Sequence, residues 1–542
     1  MCGRTPPGKI GGMSTRRLPV RPLVASLLAL SGVVVLAQPR AAGPLDRLQT
    51  RAERSGFTET SRYDDVQAFL ATVDQASPLV HLTSFGYSFE GRTLPLAVVG
   101  RVADARPATV KASGKLRVYL QANIHAGEVE GKEVVLALMR DIAKGGYAEW
   151  MNSMVLLVNP IYNADGNEKV TLTSRGFQHG PIGGQGTRAN AQGLNINRDN
   201  IKIETPEARS MVRLLNDFDP HVMVDLHTTN GSRHAYHLTY ETANNPAVAA
   251  PIIGQLRDWM ATVAKNVKTK DRWEFRSYGN VSGQAPNRVW TTVEDLPRYT
   301  HNYWGMRNRF GILSETYSYL TFADRVTTAR RFVEEVLAYA HTHAPALMKA
   351  TAEADAASLV GTELSIRSQV ARASAPVEIL MGDVEEDVNP YSGRVIHKRA
   401  NVARPEMMAD ETTFESTDRE RVPDAYFVPA EQKVAIERLR AHGIQLERLN
   451  APVNVPLQEF AVATSTTTAQ AFENHQERTV TGTWVPVERT VPAGTWRVSM
   501  RQPLARLAFY LLEPRSNDGL VTWNVLDEAL KSGRSPILRT RD

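Results

Sequence analysis

Between residues 63 and 346 short apolar runs alternate with helical patterns, and this alternation restricts the fold more than any other feature. The runs at 116–120 (LRVYL), 154–158 (MVLLV), 222–226 (VMVDL) and 310–314 (FGILS) have the length of buried strands. Helical periodicity marks residues 131–143, 206–218, 247–265 and 324–343, and Thr205 followed by Pro206 is a normal helix start. The pattern predicts an α/β fold: a mostly parallel mixed sheet with helices on both faces. Ligands of such folds bind beyond the carboxyl ends of the strands. Polar residues at those ends are therefore the first candidates for function.

Three strand ends stand out. Residues 123–133 (NIHAGEVEGKE) follow the run at 116–120 and precede a helix, so His125 and Glu128 sit three apart on a turn. That spacing lets an imidazole nitrogen and a carboxylate converge on one ion, and Ala126 and Gly127 keep the turn small. The third ligand candidate is His227, at the end of the run in VDLHTT (224–229). Two histidines, one glutamate and an open position form the ligand set of several zinc hydrolases. Glu315, in LSETY (313–317), ends another apolar run. A carboxylate there is costly unless paired, and beside a zinc-activated water it could act as general base and then general acid.

Cysteine usage supports this ligand choice. Cys2 is the only cysteine, so disulfides, thiolate catalysis and cysteine-ligated zinc are excluded. Rival motifs fail: the Gly127 to Glu133 stretch is one residue short of a phosphate loop and lacks its Ser/Thr, and residues 180–186 are Gly-rich but follow no strand. No HExxH or G-x-S-x-G sequence supports another hydrolase class.

These residues resemble the M14 metallocarboxypeptidase family. Its HxxE pair, distant His and later Glu stand here as His125, Glu128, His227 and Glu315. Its NPDG-like turn is similar to residues 163–166 (NADG), its Asn-Arg pair to Asn197 and Arg198, and its early strand-turn to residues 86–93 (GYSFEGRT). The likeness runs over about residues 60–345. It implies one zinc ion per chain held by His125, Glu128 and His227, with Glu315 as catalytic base. It also implies that Asn197 and Arg198 grip the substrate's terminal carboxylate. Arg175 is the candidate cation for the oxyanion, with Arg188 as its rival, and Tyr303 or Tyr299 would cap the substrate. Two positions depart from the family: Asn195 stands where an Asp often orients a zinc-ligating His, and Ala164 where Pro is usual. Asp225 shares a strand face with His227. His221 reads as structural, and His179, His234 and His237 as solvent-facing loop residues.

The chain ends frame this domain. A basic start (Arg16, Arg17, Arg21), an apolar run over 23–37 and small residues at Val35 and Ala37 read as a signal peptide spanning 1–37. Five of the 63 Lys and Arg lie in that leader, with no acid, so 58 basic residues remain to balance 58 acidic ones. The mature chain is then near neutral, which removes the global argument for nucleic-acid binding. It also holds no apolar stretch long enough for a membrane span. Residues 44–350 are the expected catalytic domain, and 351–542 an accessory α+β and β-rich region of one or two small domains. A helix is expected at 430–442, and strands at 479–491 and 495–512.

The expected function is an exported, periplasmic or extracellular zinc carboxypeptidase acting on peptide or protein C-termini. The alternatives are a zinc amidohydrolase or deacylase for N-acyl amino acids or peptidoglycan stem peptides, and a non-catalytic binding protein derived from the same family. Residues 240–305 are expected to form much of the specificity pocket. No charged residue among them can be assigned to its floor from sequence.

Overall fold

The computed structural model describes residues 43–292 and 295–541, so the leader expected at 1–37 lies outside the described residues. Its centre is an eight-stranded sheet of β1 (Val80–Tyr87), β2 (Thr93–Val99), β3 (Leu116–Ala122), β4 (Met154–Asn159), β5 (Val222–Thr228), β6 (Leu238–Thr242), β7 (Phe275–Ser277) and β8 (Phe310–Thr316). The spatial order is β1-β2-β4-β3-β5-β8-β6-β7. The pairs β4/β3, β3/β5, β8/β5 and β6/β7 are parallel. The antiparallel pairs are β1/β2, β2/β4 and β8/β6. All four runs expected as strands are strands. Every residue of β3, β4 and β5 is buried, which explains why they read as unbroken apolar runs without alternation.

The expected helices form as Glu130–Ala143, Pro206–Phe218, Ala250–Asp271 and Phe322–Ala356, all packed against the sheet or against one another. Thr205 caps the second of these, accepting a hydrogen bond from the Ala208 N–H, with Pro206 at its first position. No described helix is long and apolar enough to cross a membrane.

Residues 351–542 pack into the same unit, Gly43–Asp542, as the sheet domain. Strand Arg404–Glu411 pairs in parallel with Val289–Thr291, and helix Lys433–Ala441 lies against Pro206–Phe218. A six-stranded, mainly antiparallel sheet is built from the C-terminal residues. The strand expected over 495–512 is corrected: only Trp496–Ser499 is a strand, and Ala505–Leu512 is a helix. All eight residues of that helix are buried. An apolar run buried all round has no period to separate helix from strand.

Candidate metal centre and substrate cleft

Strand register builds the site. Glu315 on β8 pairs with His227 on β5, and Leu313 pairs with Asp225. Across β8, Glu315 faces Thr239 and Leu313 faces Glu241 on β6. Side chains two apart share a face, so Asp225, His227, Leu313, Glu315, Thr239 and Glu241 project from one side of the sheet.

The turn after β3 brings His125 and Glu128 to the same place. It opens with Asn123 at φ +64°, a left-handed conformation that Asn tolerates. Close approach then requires glycine: a Cβ on Gly127 would lie 2.7 Å from Cγ of Arg175 and 2.9 Å from the Gly186 carbonyl oxygen. The residues 163–166 turn holds this loop from below. Asn163 Nδ2 donates to the carbonyls of Ile124 and Arg188, and its Oδ1 accepts the Gly166 N–H. The Asp165 carboxylate in turn accepts from the Ser88 hydroxyl, the Glu90 N–H and the Arg92 guanidinium. Motifs distant in sequence thus form one scaffold under the site.

Both imidazoles aim Nδ1 at Glu128. His125 Nδ1 lies 3.0 Å from Oε1 and His227 Nδ1 lies 3.0 Å from Oε2, with the rings 4.9 Å apart. Behind them, Nε2 of His125 lies 3.0 Å from Asn195 Oδ1, and Nε2 of His227 lies 2.8 Å from Asp225 Oδ2. Each backing oxygen favours a proton on Nε2 and leaves the Nδ1 lone pair pointing inward. Asp225 is itself held by the Thr300 hydroxyl and the Gln121 amide.

One ligand atom from each of His125, Glu128 and His227 lies within 4.8 Å of the others. Ligands about 2 Å from a tetrahedral zinc stand roughly 3.3 Å apart, so this nitrogen, nitrogen and carboxylate set fits that ion. Glu315 stands beside it, half-buried, with Oε2 buried and without a hydrogen-bond partner among the described residues. Burial pushes Glu315 up to about 8, opposed by His227 and reinforced by the Glu128 charge. Burial also lowers His125 to about 4.

The cleft beside these residues is lined by Arg188, Asn197, Arg198, Asn230, Glu241, Tyr278, Tyr299, His301 and Leu313. The Asn197 side-chain oxygen accepts the Thr300 N–H, which ties the Asn-Arg turn to helix Thr300–Met306. The Arg198 guanidinium stacks 3.9 Å above the Tyr299 ring.

Two candidates are displaced. Arg175 is committed elsewhere: Nε donates to Gln178, Nη1 to Glu128 and Asn230, and Nη2 to the carbonyls of Thr228 and Thr229. It braces Glu128 and lines a neighbouring groove, while Arg188, with a side chain 39 % exposed, lines the cleft itself. Tyr303 is fully buried, its hydroxyl hydrogen-bonded to His442 Nδ1 at 2.7 Å and to Arg307, so it does not reach the cleft; Tyr299 does. The cause is the helix start: Tyr299 precedes helix Thr300–Met306 as its extended N-cap residue, whereas Tyr303 lies inside the helix, where its side chain is packed against His442 of the C-terminal region. Of the loop histidines, His234 is not solvent-facing but buried among Tyr236, Trp290 and Tyr317. His179 and His237 are half-buried. His221 is structural, its Nδ1 accepting the Arg117 N–H.

Sequence reasoning missed Glu241, Tyr278 and Glu473. Glu473, from the far C-terminal region, accepts the Asn195 N–H at 2.9 Å. No local pattern marks these residues, because their places depend on sheet register and on long-range packing.

A family model described as zinc carboxypeptidase, of peptidase family M14, matches residues 66–307. Carboxypeptidase 2 of Trichophyton rubrum is 22% identical over 495 residues, covering 88% of this chain and 86% of that protein. A probable carboxypeptidase 2 of Arthroderma benhamiae is 24% identical over 486 residues, covering 86% of each. Among solved structures, a metallo-carboxypeptidase from Burkholderia cenocepacia aligns at TM-score 0.39 and 17% identity, over 52% of this chain and 69% of that one.

Proposed function

Since the chain belongs, through residues 66–307, to the zinc carboxypeptidase family M14 of peptide hydrolases, we propose that it removes residues one at a time from peptide C-termini. The observation that carries this reading is that Arg198 shares one cleft with His125, Glu128, His227 and Glu315. A carboxylate anchor beside a hydrolytic centre selects a bond next to a free terminus.

His125, Glu128 and His227 would hold one zinc ion. Bound there, zinc supplies a Lewis acid that polarises a carbonyl and makes water nucleophilic at neutral pH. Asn197 and the planar fork of Arg198 take the terminal carboxylate, and the stack on Tyr299 keeps that guanidinium in place. Glu315 takes the proton of the attacking water and delivers it to the leaving amine. Glu315 acts as the base in its ionised form, which burial disfavours and which a cation at the three ligands would favour. Arg188 faces the developing oxyanion, and Arg175 fixes the Glu128 carboxylate.

The apolar leader supports export, with residues 44–350 as the catalytic part and 351–542 as an accessory region packed on it. The test presents short peptides, N-acyl amino acids and muropeptides to the zinc-loaded protein, with chelator controls. Chelator-sensitive release of C-terminal amino acids from peptides is expected. Cleavage of N-acyl amino acids alone would make the protein a deacylase.

A further inference from the structure

Glu241 is a buried carboxylate in the wall of the cleft, 7% exposed. Register fixes its direction: it pairs with Leu313, two residues from Glu315, and so projects from the same face of the sheet. Its hydrogen-bond partners among the described residues are all neutral. The Thr292 hydroxyl donates to Oε2, and the Thr242 N–H donates to Oε1 at 3.3 Å. Among the described residues no Lys, Arg or His lies at ion-pair distance from it, and burial pushes it up to about 7. A charge buried without a counter-charge is costly, and strand β6 would be better served by an apolar residue unless something else supplies the cation.

The chemistry around it narrows what that cation is. Arg198 offers a carboxylate site in the same cleft, so the ligand carries both a carboxylate and a positive charge. Tyr278 and Leu313 flank the cleft with apolar surface suited to a methylene stem. We infer that Glu241 is the specificity-determining residue of the cleft and binds the ammonium or guanidinium of a C-terminal Lys or Arg. A neutral side chain of the same length would leave the carboxylate uncompensated and is discriminated against.

This inference rests on the carboxypeptidase reading, and the experiment separates the two. Peptides identical except for a terminal Arg, Lys, Gln, Leu or Glu are given to the full zinc-loaded chain and to Glu241→Gln. The wild type is expected to prefer Arg and Lys over Gln and Leu by about 100-fold in kcat/KM, the scale of one charge-assisted contact to a buried carboxylate. Glu241→Gln is expected to remove most of that ratio. A wild type that prefers Leu, or a ratio unchanged in the variant, overturns the inference and leaves the carboxypeptidase reading standing. The wild-type preference decides even if the variant fails to fold. Calorimetry of free L-arginine against L-norleucine, with zinc-loaded Glu315→Gln protein, gives a readout without turnover. Arginine-selective binding lost on adding Glu241→Gln, with no peptide cleaved by the zinc-loaded wild type, would sustain the cation site and sink the carboxypeptidase reading. No selective binding and no cleavage would sink both.

Discussion

The side-chain oxygen of Asn195 lies 3.0 Å from Nε2 of His125. The same oxygen accepts the Asn197 N–H at 3.0 Å, which identifies it as the oxygen and not the amide nitrogen. An uncharged acceptor therefore sets the His125 tautomer, where His227 has the carboxylate of Asp225. Asn195 is held in turn by Glu473 of the C-terminal region. Asn195→Ala is expected to weaken zinc binding by about 10- to 100-fold, and Asn195→Asp to tighten it. Competition against a chromophoric chelator measures both, and equal zinc affinity in all three proteins would refute this role.

The two arginines near Glu128 are expected to fail differently. Arg188→Ala should lower kcat by about 100- to 1000-fold with little change in melting temperature, because its guanidinium reaches into the cleft and makes few contacts with the chain. Arg175→Ala removes the guanidinium that donates to the Thr228 and Thr229 carbonyls and to Glu128 Oε1 at 3.0 Å. It should therefore lower thermal stability and zinc affinity together. Paired kinetics and calorimetry on the two variants would expose a reversed assignment.

Glu315→Gln preserves shape and removes the base. It is expected to keep stoichiometric zinc while kcat falls by about 100- to 10,000-fold. Zinc retention with undiminished turnover would show that another group moves the proton.

His442 predicts an acid limb of stability. Its Nε2 hydrogen donates to the Ile201 carbonyl and its Nδ1 accepts from Tyr303, and burial holds it down at about 3. The unfolded chain takes up this proton below the ordinary value of 6.5, and the folded chain does so only near 3. The contribution is therefore complete above pH 6.5 and is lost as the pH falls toward 3. The destabilisation caused by His442→Gln should be about 2 kcal/mol smaller at pH 5 than at pH 7.5. Denaturant titrations at the two pH values check this, and an equal penalty at both would contradict it.

Ending the chain after Ala356 is expected to give insoluble protein. The apolar core runs without a break from Val66 to Ile537, and Arg298, Tyr303 and Asn308 take Asp518, His442 and the Pro503 carbonyl as partners. A soluble, cooperatively melting fragment would show that the C-terminal region is dispensable for folding.

The sheet was legible because burial on both faces leaves β3, β4 and β5 as apolar runs that no loop imitates. His125 and Glu128 were legible because one short turn carries both, so their convergence is local. His227 and Glu315 were legible as polar residues ending such runs. The helix Ala505–Leu512 was not, because its uniform burial erased the period.

What the sequence by itself determined is which residue types are available for a metal centre: histidines and carboxylates standing at the ends of buried strands, since the one cysteine is Cys2. What only the tertiary structure decided is which neighbour each one meets. Arg188 rather than Arg175 enters the cleft, Tyr299 rather than Tyr303 lines it, and Glu241 turns toward it. The reason is physical: strand register sets which side chains share a face, long-range packing decides the rest, and in a strand a shift of one residue sends a side chain to the opposite face.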